Sequence, residues 1–110
     1  MSAFSGYRFM WMVVMFDLPV LSKRQRKRAA KFRHDLLDLG FQMAQYSVYM
    51  KFCGQREAAD ALAKRVEQRV PREGRVSILT VTDKQYGRMR IYLGGGKQSN
   101  EPARGQLALL

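Results

Sequence analysis

Few residues of this 110-residue chain are equipped for chemistry, and the first of them is Asp17. It closes the stretch FMWMVVMFDLP, in which eight apolar residues, Phe9 to Phe16, run without a break. Open α/β sheets usually place their chemistry where a strand leaves the core. An Asp at that point can equally end the strand and cap a turn, and the residues alone leave both roles open. The second feature is a run of seven cations from Lys23 to Arg33 that contains no acid, with Arg24, Lys27, Arg28 and Lys31 on one side. Asp35 and Asp38 follow only in the last turns. That order opposes the helix dipole, at a cost of roughly a few tenths of a kcal/mol per charge. A surface that gathers phosphates accounts for it better than a merely solvated face. His34, inside the same segment, reads as a structural or surface residue, and Cys53 is assigned no chemistry.

Composition narrows the class. Twenty Lys and Arg against nine acids give a net charge of +11, which draws the protein to a polyanion, either nucleic acid or an anionic membrane surface. At 46% hydrophobic residues the chain can form a core, and its length suits one domain. A single cysteine excludes an internal disulfide and any multi-cysteine zinc site, which fits a reducing cytoplasm. The apolar run falls short of the roughly 20 residues that cross a membrane. It also lacks the basic lead and small-residue cleavage site of a secretory signal.

The elements that must hold Asp17 and the cations follow from periodicity. The apolar run predicts a buried central strand ending at Asp17, because Pro19 cannot continue a ladder. Ser22 with Gln25 forms a capping-box pattern, and a helix is expected from there to about residue 39, where Gly40 stops it. Ala29, Phe32, Leu36 and Leu39 make its buried stripe. Residues 41–52 have strand composition, as one strand or as two bending near Tyr46-Ser47. A second helix is expected over 55–70, with Ala58, Ala59, Leu62, Val66 and Val70 on its stripe. A strand over 75–82, a turn over 82–87 and a short strand over 89–93 complete a folded domain at residues 1–93, with a loose lead at 1–6. Residues 94–110 read as a flexible tail. The order predicts an α+β, ferredoxin-like βαββαβ sandwich with an added C-terminal strand. Because the first strand is apolar on both faces and helices cover only one, the other face is expected to meet a second copy, giving a homodimer.

With these residues in view, the chain resembles the small CRISPR-associated adaptation protein, the second member of the CRISPR integration pair, in its type II-associated branch. The resemblance is carried by V-V-M-F-D at residues 13–17, the basic helix with Arg24 and Arg26, Leu39-Gly40-Phe41, and Gln45-Tyr46-Ser47-Val48-Tyr49. The F-D-L-P turn and Val81-Thr82-Asp83-Lys84-Gln85 add to it, and together they span roughly residues 7–93. The tail after Gly94 departs from the family's compact core. The resemblance implies a homodimer that is a Mg²⁺-dependent endonuclease, with Asp17 from each subunit as catalytic and metal-holding residue. Two carboxylates held close repel unless a cation lies between them, and Mg²⁺ takes one or two carboxylates with water and phosphate oxygens. Arg24 and Arg26, with Lys27, Arg28 and Lys31, would neutralise the backbone of double-stranded DNA or single-stranded RNA, and Phe41 and Ser47 match positions beside the site.

The implied role is spacer acquisition, bridging dimers of the CRISPR integrase, either with cleavage or as a purely non-catalytic DNA clamp. A toxin-type ribonuclease on the same scaffold is an alternative. An RNA-recognition motif shares the element order, but SVYMKFCG lacks that module's stacking aromatics.

Overall fold

The structure, a computed structural model, describes residues 8–94 and the backbone of 97–99. Four strands form one antiparallel sheet: β1 (Met10–Asp17), β2 (Gln42–Gln45), β3 (Val48–Gly54) and β4 (Arg75–Thr82), in the order β2-β3-β1-β4. Helix α1 (Lys23–Asp38) joins β1 to β2, and α2 (Arg56–Glu67) joins β3 to β4. This is the ferredoxin-like arrangement, with the apolar first strand at the centre. Residues 41–52 divide into two strands at the Tyr46-Ser47 turn. The turn expected after β4 is a short helix, α3 (Asp83–Gly87), and β5 (Ile91–Leu93) pairs with β6 (Lys97–Ser99) in a separate hairpin. That last strand falls within the stretch expected as tail; the rest of the tail and the lead at 1–6 lie outside the described residues.

Alternation along β1 sorts its side chains onto two faces. Met12, Val14 and Phe16 pack with Phe32 and Leu36 of α1, Leu62 and Val66 of α2, and with Phe41 and Tyr49. The expected helix stripes are met at Ala29, Phe32, Leu36, Ala59, Leu62 and Val66, whereas Ala58 and Val70 are exposed. On the opposite face Trp11 and Val13 meet Met50 and Tyr86. The cover expected there from a second copy is supplied in part by the chain itself. The Tyr86 ring stacks on Trp11, with centroids 3.8 Å apart and planes 4° apart. The indole donates to Asp83 Oδ1 at 2.6 Å. That cover ends before Leu79, which lies opposite Val13 and stays 49% exposed. No helix among the described residues is long and apolar enough to cross a membrane.

Candidate functional site

Asp17 is the last residue of β1 and, by alternation, lies on the face away from the helices, with Arg75 opposite it on β4. Its carboxylate is exposed and makes no hydrogen bond or ion pair among the described residues. Three consecutive residues fix its backbone. Glu73 takes an ion pair from Arg28 of α1 at 3.1 Å. Gly74 has φ +91°, and a Cβ there would stand 2.7 Å from the Asp17 carbonyl oxygen. Only glycine allows that approach in that conformation. Arg75 then starts the ladder beside Asp17. From the other side, the Phe16 N–H donates to the Ser47 carbonyl at 3.1 Å, bringing the β2–β3 turn level with the strand end.

The α1 cations divide by partner. The capping box expected at Ser22 and Gln25 is formed, with the Gln25 N–H donating to Ser22 Oγ at 3.0 Å. The first turn holds no acid and the last turn no base, as the sequence pattern implies. Arg26 donates to the carbonyls of Val20 at 3.2 Å and Leu21 at 3.1 Å, so it ties down the loop that leaves Asp17. Arg28 is bound to Glu73, and Lys31 to Asp35 at 3.1 Å. Arg24 and Lys27 are exposed and unpaired among the described residues, which leaves them to meet an outside anion. A groove of about 370 Å³ is lined by other cations, Arg28, Lys31, Arg69 and Arg72, with Asp35 as the one acid in its lining. His34 is exposed and 3.9 Å from Asp38; Cys53 is half-buried, and burial pushes its thiol pKa up. Neither joins the Asp17 surroundings.

Of the two neighbours expected beside the site, Phe41 is buried in the helix-side core at 3% exposure and can only support it. Ser47 is half-buried, and its Oγ accepts from the Arg33 guanidinium at 3.2 Å.

A family model described as CRISPR associated protein Cas2 matches residues 10–89. The chain belongs to the Cas2 family. A Paracidovorax avenae protein named CRISPR-associated endoribonuclease Cas2 is 50% identical over 105 residues, spanning 96% of this chain and 97% of its own length. Proteins of the same name from Parvibaculum lavamentivorans and Flavobacterium psychrophilum are 45% identical over 100 residues and 43% over 88. They cover 91% and 80% of this chain, and 99% and 76% of their own. The motifs that carry the resemblance at 13–17 and 45–49 fall inside the matched span.

In this Cas2-family chain, sequence reasoning passed over the clamp at Glu73-Gly74-Arg75 and the role of Arg33. Gly74 carries a readable signal, a glycine directly before a β-branched strand. Arg33 carries none, because the cation run makes it look like its neighbours. The Asp17 carboxylate is a suitable donor for a hard cation such as Mg²⁺. One chain, however, supplies one such ligand: no group of three His, Cys, Asp or Glu that could hold a metal occurs among the described residues. A metal at Asp17 needs further oxygens from water, phosphate or a second copy.

Proposed function

We propose that this Cas2-family protein acts as a homodimer on nucleic acid, as an Mg²⁺-dependent endonuclease in which Asp17 of each copy holds the metal. The observation that carries this reading is the exposed, unpartnered Asp17 carboxylate, clamped at the end of the central strand beside a helix rich in cations. The relatives named endoribonuclease support phosphodiester cleavage, with single-stranded RNA as the first substrate to try. Mg²⁺ bound there would polarise a phosphate oxygen and stabilise the developing charge. The chain's own part is to fix the backbone at the strand end through Gly74 and Ser47, which positions the carboxylate, and to draw the nucleic-acid backbone in through Arg24 and Lys27. Asp17→Asn keeps the shape and removes the charge. It should lower Mg²⁺-dependent cleavage of RNA or DNA by about 100-fold or more, the range found when a charge-stabilising group is lost, while leaving the thermal midpoint within a few degrees. Cleavage that persists in the variant, or that proceeds equally in EDTA, would sink the assignment.

A second reading is favoured by the surplus of positive charge, +11 in 110 residues, which exceeds what one metal site needs. Here the dimer clamps double-stranded prespacer DNA and bridges integrase dimers during spacer acquisition, with no cleavage of its own. Under this reading Arg24→Ala or Lys27→Ala weakens duplex binding and lowers its salt dependence by about one unit of slope each. Binding titrations at several salt concentrations measure this, and an affinity indifferent to salt would exclude a phosphate-led clamp.

A further inference from the structure

Of the cations between Lys23 and Arg33, Arg33 alone is half-buried; the others are exposed. Its guanidinium carbon lies 3.8 Å from the centroid of the Tyr46 ring and 5.1 Å from that of Phe16. One amino group donates to Ser47 Oγ at 3.2 Å, while Nε is buried with no partner. A buried N–H without an acceptor is unfavourable, so simple hydrogen bonding does not explain the placement of this arginine. Besides the bond to Ser47, the close contact it makes is the one over the Tyr46 ring.

Tyr46 is 72% exposed, although it is a large aromatic at the tip of a turn. One face of its ring is held by Arg33, and no other aromatic ring packs on it among the described residues. A ring fixed on one face and open on the other is the form that base-stacking surfaces take in single-strand-binding proteins. The planar cation beneath supports it by stacking. The bond from Phe16 to the Ser47 carbonyl sets this turn level with Asp17. The geometry points to Tyr46, backed by Arg33, as a stacking platform for one unpaired nucleobase whose sugar-phosphate backbone then rounds the end of β1 to Asp17 on the other face. A base inside a duplex keeps its faces covered, so the platform selects single strands, loops or ends. The location rests on Asp17 as the phosphodiester site; the stacking itself does not.

The test uses single-stranded RNA and DNA of about ten nucleotides carrying 2-aminopurine, within the span such sites usually cover, and a blunt duplex of equal length. Binding and fluorescence are read in EDTA, so cleavage plays no part. Wild type should quench the 2-aminopurine. Tyr46→Ala should lose the quenching and bind single strands about 5- to 150-fold more weakly, the worth of one stacked base. Duplex affinity should stay unchanged, Tyr46→Phe should behave as wild type, and Arg33→Lys should fall between. Because Tyr46 is exposed, its truncation leaves the core intact, which a melting curve verifies. Equal single-strand affinity in wild type and Tyr46→Ala would overturn the platform, as would equal weakening on single strand and duplex. If Asp17 proves irrelevant to cleavage while quenching persists, the endonuclease reading fails and the platform stands.

Discussion

The two faces of β1 are built from similar residues and finished differently. On the helix side, Met12, Val14 and Phe16 disappear under α1 and α2, and Phe32, Leu36 and Val66 are at most 1% exposed. On the other side, Tyr86 stacks on Trp11, with Phe52 edge-on to the same indole and Met50 beside Val13, and the apolar surface then runs out past Leu79 to the open carboxylate of Asp17. The first face is a closed core that sets stability. The second is closed only at the end far from Asp17, so what remains open is the half that carries the candidate site.

That contrast sets the expected sizes of effects. Phe32→Ala empties the centre of the closed face and should cost about 3–5 kcal/mol, read by denaturant titration. A loss below about 1 kcal/mol would mean that the helix layer is loose. On the other face, Tyr86→Phe removes only a hydroxyl that donates to Met50 Sδ at 2.8 Å, a loss of about 0.5–1.5 kcal/mol. Burial lifts the Tyr86 pKa from its ordinary 10.0 to about 12. A group raised in the folded state contributes fully below its unfolded value and loses that contribution as pH climbs to the folded one. The stability gap between wild type and Tyr86→Phe should therefore be constant below pH 10 and shrink between about 10 and 12, as thermal melts across that range would record. Smallest of all for the single chain, Leu79→Lys should change monomer stability by no more than about 0.5 kcal/mol. If the open half is where two copies meet, the same change should turn dimer into monomer in sedimentation. A dimer that survives it would place the contact elsewhere.

The closed face was legible in the sequence because its signals are local. The Ala29, Phe32, Leu36 spacing, the Ser22–Gln25 box and the β-branched run over 75–82 each declare themselves within a few residues. The open face was not, because its partners are distant in the chain. Nothing near Trp11 announces that Tyr86 will stack on it, and Thr82-Asp83-Lys84-Gln85 reads as a turn in so short a segment. It is in fact a second capping box, with Thr82 Oγ1 accepting from the Gln85 N–H at 3.1 Å. At the candidate site, Asp17 was visible as the end of an apolar run. The sorting of the cations was not, because partners such as Glu73 and the Val20 carbonyl are assigned by tertiary approach rather than by residue type.

Both boxes close with glutamine where glutamate would accept the same N-cap hydrogen bond. For α1 the choice has an electrical consequence. A glutamate at 25 would soften the unfavourable dipole, but it would set a negative charge against Glu73, to which the Gln25 amide donates at 3.5 Å, and would lower the positive potential around Arg24 and Lys27. The neutral amide closes the cap without reducing the positive charge of the helix start. Cap hydrogen bonding and surface charge are thereby set by separate atoms.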